Sequence, residues 1–307
     1  MIVTCTMNPA IDLFVRTKSY QPKVVNRTLA NDIQPNGKGV NVSFILKMLG
    51  IDNLAIGFLG GFTGAFIREA LNEKGIDTNF VEIAETTRIN VFTKVDDQQT
   101  EYKLVNQGPV IEEEALKELF SIIQKLAAED ILCVSGSNPQ GVTDDDIMGI
   151  AKIAHANRVK FVLDTSSRVL LDVLPYRPYC IKPNDEELAA LFEKAELSQA
   201  EIIHYGKQLV KMGAQHVLVS LGEAGAYYFS EKACLKGNAP KGILVNSACA
   251  GDTMLATFVG LLESGQAVET CLKTSIAAAS STAFTEGLTD FKNVPQLMAE
   301  IVITTVN

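Results

Sequence analysis

Apolar positions along this chain follow two periods. Short runs rich in β-branched residues, at 2–6, 54–59, 131–135, 161–163, 180–182 and 217–220, read as buried strands. Between them lie stretches with helical spacing. Residues 39–49 form a predicted helix stopped by Gly50, and 63–74 one stopped by Gly75. A longer helix is predicted over 111–128, with Glu112, Glu113 and Glu114 in a first turn whose dipole favours them. Further helices are predicted over 144–156, 185–192 and 201–212. This alternation predicts an α/β fold: a mostly parallel sheet with helices on both faces and ligands beyond the carboxyl ends of the strands.

One region breaks the rhythm. Residues 80–82, 89–95 and 100–105 are strand-like, with the polar turn Asp96-Asp97-Gln98-Gln99 and no helix between them. They read as a small antiparallel flap, either an edge hairpin or a lid beside a cleft.

Composition narrows the function. With 307 residues, 47% hydrophobic and 21% charged, the chain can bury a sizeable core. The net charge of -9 and pI near 5.0 disfavour nucleic acid and anionic membrane as partners, so an anionic substrate needs a local cluster of cations. No apolar run is long enough to span a bilayer, and the first residues read as a strand rather than a signal peptide. Cys5, Cys133, Cys180, Cys234, Cys249 and Cys271 form no Cys-x-x-Cys pair, and His155, His204 and His216 are the histidines. Reduced, mostly buried cysteines in a cytoplasmic protein are expected.

Three segments carry chemistry. In Asn246-Ser247-Ala248-Cys249-Ala250-Gly251-Asp252-Thr253, small residues lead into an apolar helical run, so backbone N–H groups can meet an anion with Asp252 in the first turn. An isolated Asp there is usually a helix cap. In Lys182-Pro183-Asn184-Asp185-Glu186-Glu187, Asn184 and Glu187 share a helix face and offer oxygen to a largely hydrated Mg2+; alone, the pair is more often a capping box. In Asn36-Gly37-Lys38-Gly39-Val40-Asn41, glycines flank a lysine before a helix, as in any Gly-rich turn, without the spacing of a Walker A loop. Asp12 reads as a sugar ligand or a turn residue, and Arg88 and Asn90 open a flap strand. Ser220, Gly222 and Gly225 could line a nucleotide or close a hairpin.

Together these segments, with Asn8-Pro9, Gly60-Gly61 and Ser135-Gly136-Ser137, resemble the PfkB/ribokinase family of carbohydrate kinases from Met1 to about Phe291. Val25-Asn26-Arg27, Thr87-Arg88-Ile89-Asn90 and Gln107-Gly108-Pro109 resemble its hexose-phosphate branch. The resemblance implies one ribokinase-like α/β/α sandwich over 1–307, with a β lid from segments near 12–36 and 80–108. It implies ATP-dependent phosphorylation of a phosphorylated ketohexose, fructose 1-phosphate first, with tagatose 6-phosphate and fructose 6-phosphate as alternatives. A catalytically weak sugar-phosphate sensor is the reading from another class. Asp252 would be the base, and Cys249, Ala250 and Gly251 would border the anion hole. Lys38, Arg88 and Arg27 would hold the existing phosphate; Asp12, Gly37, Gly39, Asn41, Asn90 and Ser137 would orient the sugar. Lys182, Asn184, Ser220, Gly222 and Gly225 would line the ATP site, with Asn184 and Glu187 positioning Mg2+ through water. A flap-mediated homodimer is the assembly the resemblance admits.

Two departures stand out. The family usually has Gly-Gly-Lys-Gly where this chain has Asn36, and Gly-Ala-Gly-Asp where it has Cys249. Asn tolerates a left-handed backbone, so the turn should survive. At the positive end of a helix dipole, Cys249 is expected to be the most readily alkylated cysteine, with a buried inert thiol as the other reading.

Overall fold

The computed structural model describes residues 1–306. In chain order the strands are β1 (Ile2–Thr6), β2 (Ala10–Thr17), β3 (Thr28–Asn36), β4 (Asn53–Gly60), β5 (Asp77–Ile83), β6 (Arg88–Val95) and β7 (Thr100–Leu104). They continue with β8 (Ile131–Ser135), β9 (Lys160–Asp164), β10 (Cys180–Ile181), β11 (His216–Ser220), β12 (Ala226–Phe229), β13 (Cys234–Gly237) and β14 (Ile303–Thr305). The helices are α1 (Lys38–Met48), α2 (Gly61–Glu73), α3 (Glu113–Gln124), α4 (Asp144–Ala156) and α5 (Val169–Asp172). After them come α6 (Asp185–Leu191), α7 (Gln199–Met212), α8 (Ala250–Glu263), α9 (Val268–Ala283) and α10 (Val294–Ala299).

The large sheet runs β14-β13-β12-β11-β10-β9-β8-β1-β4-β5. From β11 to β5 every pairing is parallel; β12, β13 and β14 add an antiparallel edge. Strand alternation feeds two cores. Val3, Leu132 and Val134 pack with α3, α4 and α7, whereas Ile2, Ile131 and Cys133 pack with α1, α8 and α9. This is the three-layer α/β/α arrangement, and the strand run turns back between β1 and β8.

The second sheet, β3-β2-β6-β7, stands on the first through Ile11 and Ile89, which pack against α1 and α2. It differs from the expected flap in one respect. Residues 80–82 lie in β5, parallel to β4, because Phe80 and Val81 are buried in the main core. The small sheet is built from β6 and β7 paired with β2 and β3, the latter two from the 12–36 segment. The α3 helix is also shorter than its periodicity predicts. Glu112 is its N-cap, and the chain turns after Gln124, where Glu129 adopts φ 72 and hands over to β8. All six cysteines are free, and five are buried. No helix among the described residues is long and apolar enough to cross a membrane.

Candidate active site

Strands β1, β8, β9, β10 and β11 release the chain at one edge of the sheet, and the chemistry gathers there. At that edge α8 starts at Ala250, its first-turn amides without intrahelical acceptors. Asp252 sits in this turn, 5% exposed, and its carboxylate accepts from Asn41 Nδ2 at 2.8 Å. Burial, then the nearby Asp164 carboxylate, pushes its pKa up to about 6; Asn41, Lys38 and Lys182 oppose the rise. A cap would project to solvent and bind its own backbone. This carboxylate does neither, and a pKa near 6 suits a group that exchanges a proton near neutrality.

Asp164, which the sequence reading missed, ends β9 and is fully buried. Its Oδ1 lies 3.3 Å from Lys38 Nζ and 3.4 Å from Lys182 Nζ. One carboxylate thus holds two lysines, one from the Gly-rich turn and one from the strand leading to α6. For Lys38, burial lowers the pKa, but Asp164, Asp252 and Glu187 outweigh it and the net shift is upward. Lys182 Nζ lies 3.0 Å from where a Cβ on Gly251 would sit, so the ammonium flanks the helix start and glycine keeps that approach open. Asp164 had no local signal: it is an ordinary strand-end residue, and only the packing of β8, β9 and β10 brings the lysines to it.

On the small sheet, Asp12 is a buried strand residue rather than part of a turn. Burial raises its pKa, against hydrogen bonds from Asn90 and Asn36 and the nearby Arg88. Asn90 Nδ2 donates to Asp12 Oδ1 at 2.8 Å, and Asn36 Nδ2 donates to Oδ2. The left-handed demand falls on Gly37, φ 139, and not on Asn36. A Cβ on Gly39 would meet Thr6 Oγ1 at 2.3 Å, so the turn can press against β1 only as glycine. Arg88 is half-buried and binds carbonyls, Asn106 O at 2.7 Å and Asn8 O at 2.9 Å, with its Nε unpartnered. Burial lowers its pKa and Asp12 opposes this. A guanidinium held by carbonyls has charge to offer an anion. Asn8 also donates to Ser137 Oγ at 3.3 Å, across the β1/β8 switch point. Arg27 is not brought in by any contact: it is exposed on the loop before β3.

The nucleotide-side motifs fold as local structure. Asn184 and Glu187 form a capping box, with Asn184 N to Glu187 Oε2 at 2.9 Å and Glu187 N to Asn184 Oδ1 at 2.6 Å. Ser220 bridges to Asn184, and Gly222 to Ala224 form a 3-10 turn ending at Gly225 (φ 94), so this segment is a hairpin turn at the end of β11. Cys249 is half-buried, whereas the other five cysteines are buried. It is the N-cap of α8 in left-handed conformation, φ 63, and burial raises its pKa, with Asp252 and Asp12 adding to the rise.

A buried carboxylate, two ammonium groups and a helix N-terminus gathered at one end of the sheet suit phosphoryl transfer to a hydroxyl. The pfkB family carbohydrate kinase model matches residues 5–295. A D-tagatose-1-phosphate kinase of Bacillus licheniformis is 52% identical over 306 residues, 99% of each chain. A 1-phosphofructokinase of Bacillus subtilis is 37% identical over 304 residues, 99% of each chain. Among solved structures, phosphofructokinase-2 from Escherichia coli in complex with fructose-6-phosphate superposes with a TM-score of 0.90 at 26% identity, covering 97% of this chain and 98% of that one.

Proposed function

This chain belongs to the pfkB family of carbohydrate kinases, and from that premise we propose that it phosphorylates a ketohexose 1-phosphate at its 6-hydroxyl, using ATP. The observation that carries the reading is the buried Asp252 carboxylate, held by Asn41 beside the Lys38–Asp164–Lys182 group. Asp252 takes the proton of the acceptor hydroxyl. The amides of Ala250, Gly251 and Asp252, with Lys182 and Lys38, stabilise the charge on the group in transfer. Asp12, Asn90 and Asn41 orient sugar hydroxyls, and Arg88 meets the phosphate already present. Lys182, Asn184, Ser220, Gly222 and Gly225 border the nucleotide.

Bound ATP with Mg2+ supplies the phosphoryl group and neutralises its charge. The residues fit such a metal. No group of three or more His, Cys, Asp or Glu side chains among the described residues could cage one. Glu187 commits Oε2 to the cap and keeps its other oxygen for a water shell, which suits an ion that retains waters and takes phosphate oxygens.

The choice of sugar rests on the relatives. Residue motifs alone favour fructose 1-phosphate. The relative named D-tagatose-1-phosphate kinase is the more similar of the two reported, which favours D-tagatose 1-phosphate. The two sugars are C4 epimers, and both place a phosphate and a free 6-hydroxyl at opposite ends. ADP release should be measured with fructose 1-phosphate, D-tagatose 1-phosphate, fructose 6-phosphate and tagatose 6-phosphate. The expected result is a kcat/KM for a 1-phosphate well above that for either 6-phosphate. A preference for a 6-phosphate would sink the reading.

The partner we assign is a second copy of this chain, docked on the small sheet. Leu13, Ile33, Val91 and Leu104 lie in cross-strand register on one face, and Ile33 and Leu104 are 50% and 63% exposed.

A further inference from the structure

Asn36, where the family usually has glycine, uses its whole amide. Nδ2 donates to Asp12 Oδ2. Oδ1 accepts from Gly37 N at 2.6 Å and from Asn41 Nδ2 at 2.8 Å. Asn41 Nδ2 spends its other hydrogen on Asp252 Oδ2 at 2.8 Å, with Cys249 Sγ at 3.2 Å as a longer third contact. Asn90 joins at the far end through Asp12 Oδ1. A continuous path, Asn90–Asp12–Asn36–Asn41–Asp252, therefore runs from three strands of the small sheet to the first turn of α8.

The position of Asn36 gives the path its meaning. It is the last residue of β3, and the next residue, Gly37 with φ 139, leads directly into α1, so residue 36 stands where the small sheet joins the main domain. The backbone at 36 is outside the left-handed region, and the residue is half-exposed, so folding demands neither glycine nor asparagine. What the side chain adds is orientation. An Asn amide can turn either end toward a carboxylate, and only the NH2 end is favourable. Asn36 Oδ1 accepts the second Asn41 hydrogen and so fixes that end toward Asp252.

We propose that Asn36 is a positioning residue that couples the small sheet to the orientation of the base: bridging Asp12 and Asn41, it holds the Asn41 amide against Asp252. The inference rests on Asp252 being the base. The other groups facing Asp252 are Asp164 from β9, Lys38 from α1, Lys182 after β10 and Cys249 before α8.

The test is the acid limb of the kcat–pH profile with saturating ATP, Mg2+ and the preferred ketohexose 1-phosphate. Losing one ordering hydrogen bond worth about 1 kcal/mol should move the limb of Asn36→Gly upward by about 0.5–1 pH unit. Turnover near pH 6 should fall roughly two- to fivefold, with the KM for ATP unchanged. Asn36→Ala should behave alike, which guards against a loop loosened by glycine. Asp12→Asn should move the limb in the native background and add nothing in the Asn36→Gly background. Unchanged limbs in both residue-36 variants, or fully additive shifts with Asp12→Asn, would overturn the coupling. Asp252→Asn, assayed in parallel, separates the two ideas: retained turnover there removes the base itself, whereas lost turnover with unmoved limbs removes only Asn36.

Discussion

Asp252 keeps its proton to about pH 6 because burial and Asp164 penalise its charge more than Asn41, Lys38 and Lys182 relieve it. Turnover should therefore fall as pH drops through that value. Asp252→Asn should lower kcat by roughly 10²–10⁴ with little change in the KM for ATP; a loss under about threefold would leave Asp252 without a chemical role. The same shift bears on stability. The folded-state pKa lies above the ordinary 3.8, so the fold prefers the protonated acid. The ionised carboxylate thus costs stability that grows as pH rises from about 4 to about 6 and is constant above. Asp252→Asn escapes this cost. Thermal melts should show it more stable than the native protein by about 1–3 kcal/mol at neutral pH, with the gap closing near pH 4. Burial raises the Cys249 pKa, and Asp252 and Asp12 add to the rise. At neutral pH iodoacetamide should label Cys249 far more slowly than a free thiol such as glutathione, and an equal rate would contradict the upward shift; as the one cysteine that is not buried, it should still be labelled before the other five. Glycine at 249 should keep activity, since the left-handed φ of 63 suits glycine better than cysteine.

At the scale of elements, a motif can serve the helix and the ligand together, and Glu187 separates the two. Its Oε2 accepts from Asn184 N, which glutamine can reproduce with its amide oxygen, while the negative charge cannot be reproduced. Glu187→Gln should keep the melting temperature within about 1 °C and raise the Mg2+ concentration needed for half-maximal rate severalfold. Glu187→Ala should lose the cap as well, at about 0.5–2 kcal/mol. Equal Mg2+ titrations for native and Glu187→Gln would leave this side chain as a cap alone. The small sheet shows how far element signals reach. The polar turn at 96–99 and the strands around it were legible because the chain alternates there. The β3 strand had no comparable pattern: it is exposed or half-buried along its length, so no buried face imposes a period of two.

For the whole molecule, the exposed apolar row on the small sheet predicts assembly. Ile33→Glu with Leu104→Glu should shift the particle measured by light scattering from dimer to monomer, with the far-ultraviolet spectrum preserved. A native protein that is already monomeric at micromolar concentration would remove this surface from consideration. The order of buried strands and amphipathic helices determined the three-layer α/β/α architecture, because period and glycine stops are local properties of the chain. The helix-start segment around Asp252 and the Gly-rich turn were legible for the same reason: small residues before an apolar helix have few physical uses. Tertiary structure alone decided how these pieces meet. Asp164 became the shared partner of Lys38 and Lys182 only when parallel strands aligned their ends. The Cys249 pKa is raised by burial and then by Asp252 and the distant Asp12, which no local pattern records. Asn36 found Asp12 and Asn41 because β3 pairs with β2 and hands the chain directly to α1. Charge and hydrogen bonding act through space, and residues distant in sequence acquire them only once the fold has closed.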